Sequence, residues 1–158
     1  RFAYDRIVSI ADSVDKVNLL YITGDEGLNV IAQGSFHAEV IDLLSNNLAV
    51  VDEPSSKGTG NEVDMEQILN WNPDVILFDE PCSALDPIST LAIEDLMSSI
   101  VADRAIVIVT HNMEQASRVS NRTAFFYMGD MVEYDETDEI FQRPKDKRLN
   151  DYLTGMFS

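Results

Sequence analysis

Four short apolar runs are spaced along the chain and separated by polar segments. Residues 75–78 (VILF) and 105–109 (AIVIV) contain no polar side chain at all. An uninterrupted run of this length is typical of a strand buried on both faces, as in the parallel sheet of an α/β protein. Residues 17–23 and 48–51 are rich in aliphatic and β-branched residues, and they predict two further strands.

The segments between these runs have helical character. Ser35 and Asp86 are plausible N-cap residues, and Asp86 is followed by Pro87, which suits the first position of a helix. Asp64 or Val63 opens another, short helix. The spacing of apolar residues and the start and stop signals predict helices over residues 2–14, 35–45, 64–71, 86–100, 113–120, 137–142 and 146–154. A hairpin is predicted over residues 123–134, with Gly129 and Asp130 in its turn.

This alternation of strands and helices predicts the fold class. We expect an α/β protein with a mainly parallel, Rossmann-like sheet of five or six strands, helices on both faces and a C-terminal hairpin. A chain of 158 residues is long enough to bury a core, and no linker separates its halves. We therefore expect a single domain over residues 1–158.

Charge and cysteine content narrow the classes of partner. The chain carries 28 acidic and 11 basic side chains, a net charge of −17, which argues against direct binding to nucleic acid or to an anionic membrane. The one cysteine, Cys82, cannot form an internal disulfide and fits a reducing compartment. We find no signal-peptide pattern and no apolar run of membrane-spanning length, and the start at Arg1 without Met suggests a chain cut from something longer.

The chemistry of the chain is predicted to lie at the end of the 75–78 strand, where Asp79 and Glu80 follow directly. Two adjacent carboxylates would be costly inside a core, so they belong at the carboxyl edge of the sheet, where open α/β sheets keep their ligand crevice. A metal- and phosphate-handling edge is one interpretation. A pair of solvated acids at a strand end is the other.

Three motifs in order favour the first interpretation. They are Asp79-Glu80-Pro81, then Ser83-Ala84-Leu85-Asp86-Pro87, and then a strand that ends in Thr110-His111. This combination resembles the Walker B strand, D-loop and switch histidine of ATP-binding-cassette ATPases. From about Val75 to Ser158 the chain is similar to the C-terminal half of the ATP-binding subunit of bacterial phosphate importers.

The resemblance implies a role for each motif residue. Asp79 would hold Mg²⁺ through water, Glu80 would be the general base, and His111 would contact the γ-phosphate of ATP. Ser83 and Asp86 would form the D-loop across a dimer. The implied cofactors are ATP and Mg²⁺. The implied partners are a transporter membrane subunit and a second ATPase protomer, and the implied location is cytoplasmic.

The chain also departs from that family. It contains no G-x-x-x-x-G-K-[ST] phosphate loop, because Lys57 in SSKGTGN stands in the wrong order relative to its glycines. It contains no Gly-Gly pair, and therefore no Leu-Ser-Gly-Gly-Gln element. The resemblance thus predicts a chain that does little or no ATP hydrolysis alone, with Glu80 and His111 vestigial.

Residues 1–78 carry a second resemblance. The segments GDEGLNVIAQGSFHAEVIDLL and MEQILNWNPDVILF are similar to part of the C-terminal lobe of periplasmic substrate-binding proteins for iron-siderophores and cobalamin. We interpret the chain as a hybrid scaffold, designed or natural, joined at residues 73–78. The alternative function is a small-ligand binding lobe in which His37, Glu39 and residues 55–60 contact the ligand. An ordinary surface role for these residues is the competing interpretation.

Overall fold

The computed structural model describes residues 8, 11, 13–23 and 28–156. The helix predicted over residues 2–14 therefore lies almost entirely outside the described residues. The chain divides into two compact units, Arg1–Val109 and Thr110–Ser158, and each is described by itself. The predicted join at residues 73–78 falls inside the first unit and overlaps the strand Val75–Asp79.

The first unit contains a six-stranded sheet with a parallel centre. Its strands are β1 (Asn18–Thr23), β2 (Asn29–Val30), β3 (Asn46–Asn47), β4 (Asn61–Glu62), β5 (Val75–Asp79) and β6 (Ala105–Val109). The order is β4-β2-β1-β5-β6, and β3 also pairs with β1. The β1–β3, β1–β5 and β5–β6 pairs are parallel, whereas β1–β2 and β2–β4 are antiparallel. The predicted mixed α/β fold with a mainly parallel central sheet is confirmed.

Two short strands, β2 and β4, were not predicted from the sequence, and one predicted strand is misplaced. β2 and β4 are only two residues long, which is too short to leave an alternating pattern. The strand predicted over residues 48–51 is wrong, since the segment that pairs with β1 is Asn46–Asn47. Asn47 is buried there, and its side-chain amide donates to Ile31 O and Asp42 Oδ1. Polar residues held by such bonds give no apolar signal in the sequence.

The first unit also contains the helices α1 (Glu39–Leu44), α2 (Met65–Trp71) and α3 (Pro87–Ile100). Side chains of α2 and α3 pack on one face of the sheet. Ile68 of α2 and Met97 of α3 share a core cluster with the buried side chains of β1 and β5, which are Leu20, Ile22, Ile76 and Phe78. Ile106 and Ile108 of β6 pack against the same cluster.

The expectation that the two uninterrupted apolar runs are buried on both faces is wrong. In β5 the buried residues Ile76 and Phe78 alternate with the half-buried Val75 and Leu77. In β6, Val107 and Val109 are each 48% exposed. Side chains of a strand alternate between faces, and β6 is the edge strand of the sheet among the described residues. An apolar run shows that a strand is buried, but not on how many sides.

One of the two predicted N-caps, Asp86, is confirmed. Asp64 Oδ1 accepts the N–H of Gln67 at 2.8 Å and caps α2, and Asn72 ends that helix in the left-handed region. Asp86 caps α3 with Pro87 in its first turn. Ser35 precedes a 3₁₀ turn (Phe36–Ala38), and its side chain makes no capping bond. The prediction that Ser35 caps a helix running to residue 45 is therefore wrong, and α1 is shorter than predicted.

The second unit consists of a hairpin and three helices. Its elements are α4 (Met113–Val119), β7 (Arg122–Tyr127), β8 (Asp130–Glu136), α5 (Thr137–Gln142) and α6 (Lys147–Leu153). The predicted hairpin is confirmed, but its two loop residues are Met128 and Gly129, both with positive φ, while Asp130 pairs with Tyr127. Within the described part of both units, no helix combines the length and apolar character needed to cross a bilayer.

Candidate functional site

Asp79 stands at the carboxyl end of β5, the strand that lies between β1 and β6. It is the last residue of β5, and its neighbours in register are Thr23 of β1 and Val109 of β6. All three strands are parallel, so their carboxyl ends meet at this edge. The carboxylate of Asp79 therefore lies where the sequence predicted it, half-buried at the rim and outside the core.

Tyr21 of β1 is a member of this site that the sequence analysis missed. Its phenol Oη donates a hydrogen bond to Asp79 Oδ2 at 2.5 Å. That length is normal for a hydroxyl that donates to a charged carboxylate. Burial raises the pKa of Tyr21 well above its usual value, and the hydrogen bond to Asp79 and the charge of Asp79 raise it further. The phenol therefore stays protonated and donating at neutral pH.

Glu80 has an unusual backbone conformation. Its φ of 49° is in the left-handed region, although it is not glycine and is followed by Pro81. Such a conformation costs about 1–2 kcal/mol for an L-residue. Its N–H donates to Val109 O at 2.9 Å, and its C=O accepts from the backbone N–H and the hydroxyl of Ser83. These bonds fix the Glu80 peptide at the sheet edge, and strain held in this way is common at functional sites.

Asp86 acts as the cap of α3 in the structure. Its Oδ1 accepts the N–H groups of Ile88 and Ser89 at 2.9 and 3.2 Å, and its Oδ2 accepts the Ser89 hydroxyl at 2.6 Å. The hydrogen bond from the Ser89 hydroxyl, followed by the two backbone bonds, lowers the pKa of Asp86. The D-loop role across a dimer predicted for Ser83 and Asp86 stays a prediction.

Replacing Asp86 by alanine is expected to lower the stability of the chain, because two helical N–H groups lose their acceptor. Since the folded state favours the charged form of Asp86, its contribution is present above about pH 4 and lost as the pH falls through the lowered pKa. Asp86→Asn should keep most of the capping, because the amide oxygen can still accept a hydrogen bond. It should also remove the loss of stability at low pH, because an amide does not titrate. Urea unfolding from pH 3 to 7 measures both effects.

The control for this experiment is Asp95→Asn, which neutralises an exposed acid in the middle of the same helix. If Asp86→Ala and Asp95→Asn unfold alike at pH 7, the capping account of Asp86 is wrong.

His111 follows Thr110 near the start of the second unit and is exposed. The next residue, Asn112, caps α4 by accepting the N–H of Gln115 at 3.0 Å, and its own N–H donates to the Thr110 hydroxyl. The local chain around His111 is thus ordered by capping. Its predicted contact with a γ-phosphate stays a prediction.

Among the described residues, the carboxylates at the sheet edge do not form a complete set of metal ligands. No group of three or more His, Cys, Asp or Glu side chains among them could together hold a metal ion. Tyr21 uses one lone pair of Asp79, which leaves further acceptor positions on the carboxylate. Mg²⁺ usually keeps several waters and binds through one or two carboxylates plus substrate phosphates. The free acceptor positions of Asp79 therefore fit an Mg²⁺ ion that keeps several of its waters.

Some of the residues proposed for small-ligand binding lie close to one another. A Cβ on Gly58 would lie 3.7 Å from the imidazole of His37, so the loop at residues 55–60 packs near that ring. Glu39 lies on a shallow groove lined by Gly34, Ser35, Phe36, Glu39, Asp42 and Leu43. His37 and the loop at residues 55–60 are therefore neighbours.

The chain is similar over most of its length to proteins named phosphate import ATP-binding protein PstB. Those of Bacillus cereus and Bacillus anthracis are 53% identical over 137 residues, which is 86% of this chain and 51% of theirs. That of Desulfitobacterium hafniense is 55% identical over 117 residues, covering 74% of this chain and 44% of the relative. The chain thus spans about half the length of the curated relatives it matches.

The aligned stretch is longer than the ATPase-like half. Residues 79–158 number 80, so a stretch of 137 residues must extend well into residues 1–78. These relatives give no support to the predicted siderophore-binding half of a hybrid.

The chain was also compared with solved structures and with models of protein families. A bacterial Atm1-family ABC exporter with ATP bound overlaps 58% of this chain and 16% of its own, with a TM-score of 0.48 and 23% identity. No family model matches the chain.

Proposed function

We propose that this chain is part of the ATP-binding subunit of a phosphate importer and carries its carboxylate edge. The observation that supports this most is the 53% identity with phosphate import ATP-binding proteins over 137 residues. In the structure, Asp79 and Glu80 stand at the carboxyl edge of a parallel sheet, as the motif interpretation requires. The activity of the whole subunit belongs to this proposal, because the chain spans only about half the length of its relatives.

The roles of Asp79 and Glu80 are suggested by their position at the sheet edge, and the role of His111 by the motif resemblance alone. Bound Mg²⁺ would screen the negative charge of the nucleotide phosphates. Asp79 would face that ion through water, with its Oδ2 also bonded to Tyr21. Glu80, fixed by its backbone bonds, would accept a proton from an attacking water. His111 would donate to the γ-phosphate.

We propose further that these 158 residues do not hydrolyse ATP by themselves. Their sequence contains no G-x-x-x-x-G-K-[ST] motif, whose backbone N–H groups and lysine would hold the phosphates. The net charge of −17 also repels a nucleotide unless local geometry holds it. The carboxylates are then in place without a bound substrate to act on.

Steady-state ATP turnover with Mg²⁺ tests this part of the proposal. We expect the chain to hydrolyse ATP no faster than its Glu80→Gln variant, because a general base contributes only when the substrate is bound beside it. Glu62→Gln, in the exposed strand β4, controls for the loss of one negative charge. Turnover that Glu80→Gln abolishes and Glu62→Gln leaves intact would overturn the claim of inactivity.

The partners and location of such a subunit belong to the same proposal. A phosphate-importer ATPase would work with a transporter membrane subunit and a second ATPase protomer on the cytoplasmic side. Co-purification with the membrane subunit of the same importer tests the first of these.

A second candidate function is binding of a small ligand at the surface that His37 forms with residues 55–60. The specific observation in its favour is that a Cβ placed on Gly58 would lie 3.7 Å from the His37 ring. A ligand that binds only the native state raises its stability. A thermal-shift screen with a ferric siderophore, cobalamin and inorganic phosphate separates the candidates, because only this function predicts stabilisation without nucleotide.

A further inference from the structure

The bond between Tyr21 and Asp79 depends on the register of two neighbouring strands. β1 and β5 are parallel, with Tyr21 opposite Leu77 and Thr23 opposite Asp79. Tyr21 and Asp79 are thus diagonal neighbours, and the odd-numbered side chains of both strands lie on one face of the sheet. A diagonal separation of about 7–8 Å is within reach of an aromatic side chain. The ring of Tyr21 spans this gap and brings its hydroxyl to the carboxylate.

The effect of this bond is to fix one oxygen of Asp79. Without a partner, a carboxylate at the end of a strand can rotate about its χ2 torsion, which is broad. The phenol donates to Oδ2 at 2.5 Å and is itself held in a half-buried position on β1. Oδ1 is consequently held in one direction at the sheet edge.

We infer that Tyr21 is a positioning residue that holds the Asp79 carboxylate in the orientation needed to receive a divalent cation. This inference rests on the proposed function, in which Asp79 faces Mg²⁺. Mg²⁺ demands nearly ideal octahedral geometry, so the orientation of its carboxylate partner matters. Groups that hydrogen-bond to a ligating side chain typically change metal affinity 10–100-fold when they are removed.

The test is the affinity of the 158-residue chain for Mn²⁺ alone, a paramagnetic substitute for Mg²⁺, measured by the loss of the free-ion electron paramagnetic resonance signal. Tyr21→Phe keeps the ring and removes only the hydroxyl, and we expect it to weaken Mn²⁺ binding about 10-fold or more. Tyr134→Phe is the matched control, since it removes a phenol that accepts from Arg122 Nε in the other unit. It should leave Mn²⁺ binding unchanged.

Asp79→Asn distinguishes failure of this inference from failure of the proposed function. If Asp79→Asn weakens Mn²⁺ binding but Tyr21→Phe does not, Asp79 is the cation-facing group and Tyr21 has only a structural role. If neither variant changes binding, or the chain binds no Mn²⁺, both the role of Asp79 and the inference are overturned. Tighter binding by Tyr21→Phe would show that the phenol competes with the cation, which also contradicts the inference. Thermal unfolding of each variant confirms that it is folded.

Discussion

Replacing Phe78 by alanine is expected to lower the free energy of unfolding by about 3–5 kcal/mol, the usual cost of truncating a buried phenylalanine. Phe78 is 1% exposed and lies in β5, one residue before Asp79. It belongs to the cluster that joins β1 and β5 to α2 and α3. The variant loses the favourable free energy of transferring the ring from water into the core. It also bears the cost of the cavity that the missing ring leaves.

Phe126→Ala is the matched control. Phe126 also lies in a strand, but it is 62% exposed, so its truncation should change stability by much less. Urea unfolding followed by circular dichroism measures both variants. Equal losses for Phe78→Ala and Phe126→Ala would contradict the placement of the core on one face of this sheet.

Replacing Gly60 by alanine should be the second most damaging change. Gly60 has a φ of 74°, and a Cβ there would lie 2.4 Å from the backbone oxygen of Val30. The left-handed conformation costs about 1–2 kcal/mol for alanine, and forcing an extra carbon into a packed site costs about 1–3 kcal/mol more. Because the close atom belongs to the backbone of β2, it cannot rotate away. The β2–β4 pairing, in which Val30 lies opposite Asn61, must shift.

Gly34→Ala separates the two costs. Gly34 has nearly the same φ, 76°, but among the described residues, its two chain neighbours aside, no atom lies within 4 Å of its Cβ position. Both substitutions restrict the unfolded chain equally, so the difference between the two variants measures the clash alone. We expect Gly60→Ala to unfold at clearly lower urea concentration than Gly34→Ala. Coincident unfolding curves would show that the close approach of Gly60 to Val30 is not present in solution.

Much of the fold could be predicted because its signals are local. The apolar runs that became β5 and β6 and the Asp-Pro start of α3 are visible in the sequence, and the structure has them within a residue or two. The one-sided cover of β6 was not predictable, because it depends on which elements pack on the sheet. The side chains of Val107 and Ile108 are equally apolar, yet only the second packs against the core.

The candidate site was predictable only in part. Carboxylates after an apolar strand must lie at its end, so Asp79 and Glu80 could be placed from the sequence. Tyr21 could not, because its contact depends on the β1–β5 register, and a tyrosine in a strand is normal for any core. The left-handed conformation of Glu80 runs against the extended preference of a residue before proline. It follows from tertiary bonds to Val109 and Ser83.

The central claim is that Asp79 and Glu80 form the catalytic carboxylate edge of a nucleotide-hydrolysing subunit. The most direct measurement is ATP turnover by the Bacillus cereus relative after residues 75–158 of this chain replace its matching segment. We predict that the graft hydrolyses ATP and that Glu80→Gln within it lowers turnover about 10²–10⁴-fold, the range for loss of a general base. A folded graft that does not hydrolyse ATP, or whose turnover is unchanged by Glu80→Gln, would contradict the claim.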